Sequence, residues 1–241
     1  MLTKNSIKGL NLEAIRAEHE SALASMEKAS EAEKKREAWL KSRLGKFSSS
    51  DLGKLMTYED KLNELPQGAK IYITEKVLEI LTDGKSTKNF TNDSMDRGNE
   101  KEIEAIEKFE EKKNLKCYAT GEDQKFIELC SYFGGTPDGL IDNDSLVEVK
   151  CPDSKTHFFR LKNIKNQHDF KKYEKDYYWQ IQGNLLASGR TKAYFIDYDD
   201  RFTNESQRLL IIEIERNDLD IDKIKKRLQL SEAYKKQLLA D

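Results

Sequence analysis

Cysteine is scarce and unpatterned in this chain. There are three in 241 residues, Cys117, Cys130 and Cys151, with no C-x-x-C pair. An odd, scattered set argues against a disulfide framework or a zinc site. Each is expected to be a reduced, partly buried thiol. No apolar run approaches the length of a bilayer span and no signal-peptide pattern opens the chain, so a soluble, cytoplasmic protein is expected. Apolar residues make up 37% and mean hydropathy is −0.81, too little to bury every segment, which implies some exposed helices. Excess charge is lacking as well. With 42 Lys and Arg against 44 Asp and Glu the net charge is −2, and composition alone does not point to nucleic acid. No internal repeat is present, and the length suits one α/β domain with helical additions.

What is present is concentrated between Gly134 and Pro152, GGTPDGLIDNDSLVEVKCP. Leu140 and Ile141, a polar turn at Asp142-Asn143-Asp144-Ser145, and Leu146 to Lys150 predict a β-hairpin. Successive strand side chains point to opposite faces, so Val147 and Val149 face one way and Glu148 and Lys150 the other. Ionisable groups on so apolar a strand are costly unless they have partners there. The hairpin brings Asp138 across from Glu148. Two carboxylates and a lysine then converge, a set suited to Mg²⁺ and a polarised water. The acid-x-Lys spacing alone carries little in a chain with 36% charged residues. It recurs at Glu33/Lys35, Glu111/Lys113, Asp123/Lys125 and Asp169/Lys171, all in polar segments where a solvated ion pair suffices.

Elsewhere, residues 10–38 predict a long charged helix with a thin apolar stripe, Leu12, Ile15, His19, Leu23 and Met26. Ser48 to Asp51 offer N-cap residues before a short helix, with Arg43 nearby, a combination able to bind phosphate. Helices are expected over 69–81, with Ile73, Val77, Ile80 and Leu81 inward, and over 96–113, with Ile103, Ile106 and Phe109 inward. Glu102 falls about 40° from the centre of that second stripe at 100° per residue and is the expected third acid. Lys125–Tyr132 predicts a strand leading into the hairpin. Lys155 to Lys175 is a basic segment able to track phosphates. A helix over 173–188 carries Trp179, Ile181, Leu185 and Leu186. Strands at 193–198 and 208–215 and a helix at 221–239 close the chain.

Pro137-Asp138-Gly139 followed by Glu148-Val149-Lys150-Cys151-Pro152 resembles the PD-(D/E)XK nuclease superfamily. More narrowly it is similar to the phage lambda exonuclease, or YqaJ-like viral recombinase, branch. Three further pieces occur in that branch's order: Trp39 to Gly45 with Ser48 to Ser50; Arg97-Gly98 with Glu102; and Gln180-Ile181-Gln182. The resemblance spans residues 39 to about 215. With three cysteines the chain departs from relatives that carry a four-cysteine iron–sulfur cluster.

The resemblance implies a restriction-endonuclease-like core, a central mixed sheet of about five strands flanked by helices, over residues 39–241. Residues 1–38 are then a helical N-terminal extension. It implies a Mg²⁺-dependent exonuclease, with Mn²⁺ as a substitute, that digests double-stranded DNA ends 5′ to 3′ and leaves a 3′ single-stranded tail. Asp138, Glu148 and the Val149 carbonyl hold the ion, and Glu102 binds a second or shared one. Lys150 activates water and screens the phosphate, and Gln180 holds the lysine or the water. Arg43, Ser50 and Thr136 form a 5′-phosphate pocket. Its second arginine is replaced by Thr156, with Lys155 as the substitute. Met95 takes the place of an apolar wedge that splits the terminal base pair. A homotrimeric ring, a single-strand annealing partner and the cytoplasm of a bacterial host are also implied. An endonuclease of the same superfamily and a non-catalytic DNA-end-binding protein are the alternatives.

Overall fold

The computed structural model describes residue 34, residues 37–86 and residues 93–240, without the side chains of 93–100. Most of the helix expected over 10–38 lies outside these residues, as does the side chain of Met95. Residues 1–42 and 43–241 form two compact units; in the first, the described residues 37–42 are helical.

In the second unit, eight strands are found among the described residues: β1 (Phe47–Ser48), β2 (Cys117–Tyr118), β3 (Ile127–Cys130), β4 (Phe133–Gly135), β5 (Gly139–Ile141), β6 (Ser145–Lys150), β7 (Lys192–Tyr198) and β8 (Leu209–Glu215). The helices are α1 (Leu52–Leu55), α2 (Gln67–Leu81), α3 (Asp93–Lys113), α4 (Ser154–Asn163), α5 (Gln167–Tyr173), α6 (Lys175–Ser188) and α7 (Asp218–Ala240). The expected mixed sheet has five strands in the order β2-β5-β6-β7-β8. All its pairs are antiparallel except the central β6–β7 pair, which is parallel. A parallel pair needs a crossover, and α4, α5 and α6 supply it.

The predicted hairpin is present: β5 pairs with β6 through Gly139–Val147, Leu140–Leu146 and Ile141–Ser145. Asp142 sits in the turn at φ 43°, a left-handed conformation that Asp tolerates. With covered faces on both sides, β6 and β7 are almost wholly buried. Alternation sorts their side chains. Val147, Val149, Tyr194 and Ile196 pack with Ala105, Ile106 and Phe109 of α3. Leu146, Ala193 and Phe195 pack with Phe170, Trp179, Ile181 and Leu185 on the other face.

The strand expected over Lys125–Tyr132 is present as β3, and it joins β4 and β1 in a separate three-stranded sheet. Several expectations are corrected. Ile103 is 44% exposed, and Ala105 takes its place in the buried stripe. At 100° per residue that substitution moves the stripe's centre to within about 15° of Glu102. Leu81 (65%) and Ile80 (40%) are exposed as well, although Ile80 lies against Gly45. The basic segment forms two helices, α4 and α5, with Lys155, Lys162, Lys165, Lys172 and Lys175 exposed. The helix expected from 173 breaks at Glu174, which the Arg160 guanidinium grips through Nε at 2.7 Å and Nη2 at 3.2 Å.

Candidate active site

The face of β6 opposite Val147 and Val149 carries Glu148 and Lys150. Glu148 is fully buried, and every oxygen of its carboxylate is engaged. Lys150 Nζ donates to Oε1 at 2.6 Å, Gln180 Nε2 donates to the same atom, and Asn184 Nδ2 donates to Oε2 at 3.1 Å. Gln180 and Asn184 are one turn apart on α6, so both reach the strand from the same helix face. Asp138, just before β5, extends the hairpin ladder with its side chain: its Oδ2 accepts the Val149 N–H at 2.7 Å. The Lys150 ammonium lies 2.9 Å from the Val149 carbonyl and 3.8 Å from Asp138 Oδ2. A cation is thus held by the two carboxylates and the one carbonyl singled out in the sequence. That donor set, hard oxygens only, fits Mg²⁺ or Mn²⁺.

Glu102, half-buried on α3, accepts a hydrogen bond from Gln124 Nε2 at 2.7 Å and lies close enough to feel Asp138. It does not complete a cage. Among the described residues no group of three or more His, Cys, Asp or Glu side chains is gathered to hold a metal. Glu102 nevertheless lies near enough to both other acids for Asp138 to raise it and for it to raise Glu148.

Burial dominates the titration of all three acids. It pushes Glu102 up to about 7, helped by Asp138. It pushes Glu148 up to about 8, again with Asp138 adding to it and Lys150 opposing. Asp138 is raised for the same reason, against Lys150 and the Val149 N–H. Burial alone lowers Lys150, but Glu148 and Asp138 outweigh it and hold the ammonium above its ordinary value. A carboxyl raised on folding contributes stability that is complete below its unfolded value and is lost as pH rises through the folded one. In EDTA the thermal midpoint is therefore expected to fall as pH rises from about 4.5 to 8, by a few degrees for each kcal/mol lost. Glu102→Gln should lessen the fall between about pH 4.5 and 7, the interval between that carboxyl's ordinary and raised values. A midpoint slope identical in both proteins refutes this account.

The face holds more than the sequence revealed. Asp197 pairs in register with Lys150 across β6–β7. It is buried, bonded to Arg160 Nη1 at 2.8 Å and to His157 Nδ1 at 2.9 Å. The Tyr177 ring lies between two cations, with Lys150 Nζ and the Arg160 guanidinium each 5.3 Å from its centroid. Asn184, Gln124, Tyr177 and Asp197 went unrecognised in the sequence. A tyrosine and an asparagine at i and i+7 about Gln180 were the one available signal.

The expected phosphate-binding residues are less tightly gathered. Arg43 stacks over Phe126 at 5.8 Å and is lowered by burial, with Tyr72, Asp51 and Glu79 opposing. Ser48 precedes a 3-10 turn but does not cap it; its Oγ bonds Ser50 Oγ at 2.9 Å and Asp51 Oδ2 at 3.2 Å. Ser50 is exposed. Thr136 Oγ1 is buried without a hydrogen-bond partner, as is Asn184 Oδ1. Gly135 fits between Ser49 and Asn184 only because it lacks a side chain: a Cβ there would lie 2.5 Å from Ser49 Oγ and 2.3 Å from Asn184 Oδ1. Lys155 and Thr156 sit in the first turn of α4, where Asp153 caps the helix through both backbone N–H groups and the Thr156 hydroxyl.

A mixed sheet flanked by helices, with an acid-x-lysine strand beside a second carboxylate, is a nuclease-like α/β architecture. The model of the YqaJ-like viral recombinase domain matches residues 38–191, and the chain belongs to that family. No curated protein matches it. Among solved structures, LHK-Exo in complex with dAMP is 26% identical at a TM-score of 0.71, covering 85% of this chain and 94% of that one. An alkaline exonuclease, LHK-Exo, from Laribacter hongkongensis gives 25% and 0.70 over the same shares. A phage-related exonuclease from Haemophilus somnus 129PT shares the fold at 19% identity and a TM-score of 0.64, covering 81% and 95%. No helix among the described residues is long and apolar enough to cross a membrane.

Proposed function

We propose that this chain is a divalent-metal-dependent deoxyribonuclease of phage recombination that digests double-stranded DNA from its ends. In this reading the polarity is 5′ to 3′ and a 3′ single-stranded tail remains for an annealing protein, with three copies encircling the DNA. The observation that carries the reading is the cation already seated on Asp138, Glu148 and the Val149 carbonyl, the ammonium of Lys150. Family membership and the exonuclease neighbours support it. One neighbour holds dAMP, the size of unit an exonuclease releases.

A divalent ion bound by Asp138, Glu148 and Val149 would polarise the scissile phosphate and lower the pKa of a bound water. Gln180 and Asn184 fix the Glu148 carboxylate in one rotamer by donating to both of its oxygens. Lys150, with 25% of its side chain exposed, reaches outward to orient the attacking water and offset charge on the phosphoryl oxygens. Glu102, charged only when its raised pKa is passed, is placed to receive a second ion or a water proton. The unpartnered hydroxyl of Thr136, two residues from Asp138, supports a role in anchoring the terminal phosphate with Arg43 and Ser50; Lys155 is placed further along, at the start of α4. Met95 is proposed as the strand-separating wedge.

Linear and covalently closed circular duplexes, each labelled, should be incubated with the protein in Mg²⁺ and in EDTA. Only linear DNA in Mg²⁺ is expected to be lost, with 5′-phosphorylated ends consumed faster than 5′-hydroxyl ends. Cutting of the closed circle would favour an endonuclease, and end binding without loss a non-catalytic protein. Equal rates at both kinds of end would remove the phosphate pocket.

A further inference from the structure

We propose that the outer face of α4 and the end of α5 form a docking track for single-stranded DNA. Phe158, Phe159 and Tyr173 supply stacking surfaces there, and Lys162, Lys165 and Lys172 the phosphate contacts. The three rings are 48%, 44% and 40% exposed, a cluster that folding alone does not call for. Phe159 and Tyr173 stand edge to face, with centroids 5.6 Å apart at 84°. Each flank carries a cation on a ring: Lys162 Nζ is 5.2 Å from the Phe158 centroid, and Lys172 Nζ 4.7 Å from that of Tyr173. Neither lysine has a carboxylate partner among the described residues, whereas Arg160, on the inner face of the same helix, has two. Among the described residues the Lys165 ammonium donates to the Leu161 carbonyl, and its backbone N–H to Asp169 Oδ2 at 3.1 Å.

Charge complementarity and flat apolar faces select the occupant. Uncompensated lysines call for a polyanion, and exposed rings call for the π-faces of bases. Paired bases hide those faces, so the fit is to an unpaired strand rather than a duplex. The track adjoins the candidate active site: Tyr173 precedes Glu174, which grips Arg160, and Arg160 shares the Tyr177 ring with Lys150. The inference rests on the nuclease reading for the source of the strand, the tail left by digestion.

The test uses the full chain in EDTA and fluorescence anisotropy with dye-labelled oligothymidylate and a blunt hairpin duplex. The Phe158→Ala/Phe159→Ala double variant is expected to bind oligothymidylate roughly tenfold more weakly or worse, the scale of a lost base–aromatic stack, with the hairpin little changed. Lys162→Ala/Lys172→Ala should weaken oligothymidylate binding and flatten its salt dependence. In the unsubstituted chain, an oligonucleotide carrying 5-iodouracil should photo-crosslink to the segment 158–173. Undiminished oligothymidylate binding by the phenylalanine variant, equal losses on both DNAs, or crosslinks confined to other segments would overturn the proposal. Cleavage of linear duplex in Mg²⁺ is scored separately on the same preparations. A chain that binds oligothymidylate through these rings yet cuts nothing refutes the nuclease reading alone; one that cuts ends and ignores the rings refutes the track alone.

Discussion

Glu148→Gln is expected to abolish metal-dependent digestion of DNA ends, by on the order of a thousandfold or more, as when one member of a catalytic unit is lost. The carboxylate is fully buried and each oxygen already accepts from a donor, Lys150 and Gln180 on one and Asn184 on the other. Glutamine keeps the shape but removes the charge and turns one acceptor into a donor. That donor then faces the amide or ammonium donors already there, so the side chain is misoriented as well as neutral. The measurements are single-turnover cleavage in Mg²⁺ and the rise in thermal midpoint on adding Mg²⁺. Both are expected to vanish, while secondary structure by circular dichroism stays as in the unsubstituted chain. Retained cleavage in a folded Glu148→Gln protein would remove this strand from the chemistry.

Lys150→Met separates two roles of one ammonium. As an electrostatic contact to the reacting phosphate, its loss should slow single-turnover cleavage by roughly a hundredfold or more. As the cation seated on Asp138, Glu148 and the Val149 carbonyl, it competes with a metal for the same oxygens. Its removal should therefore tighten Mg²⁺ binding, read by calorimetry or by the Mg²⁺-induced midpoint shift, even as the rate falls. Methionine keeps most of the stem's packing. In EDTA the variant should lose more stability than the unsubstituted chain as pH rises, because Lys150 opposes the rise of Glu148 and without it the buried carboxyl ionises only at still higher pH. An unchanged rate with a lowered midpoint would leave Lys150 a structural ion-pair partner only.

The hairpin was legible because everything that specifies it is local. A polar turn sets the register, and a period of two separates Val147 and Val149 from Glu148 and Lys150 whatever packs outside. The long strands and helices were legible for the same reason, with ends shifted by a few residues. Glu102 was placed on the right side of its helix, but the stripe's true centre depended on Ala105 displacing Ile103, which only the packing of α3 on β6 and β7 decides. The break at Glu174 was invisible, since local pattern continues through it and the Arg160 guanidinium that the Glu174 carboxylate meets comes from α4.

The sequence by itself determined the chemistry of the central strand: which side chains share a face, and that two carboxylates and a lysine meet there. Tertiary structure alone decided who surrounds them. Gln180 and Asn184 reach Glu148 from a helix some thirty residues away in sequence; Tyr177 from the preceding turn of that helix, Arg160 from α4 and Asp197 from β7 complete the polar face. Such contacts depend on the rotation of each helix about its axis and on the twist of the sheet beneath it. Those quantities are set by packing of the whole domain, and no local period encodes them.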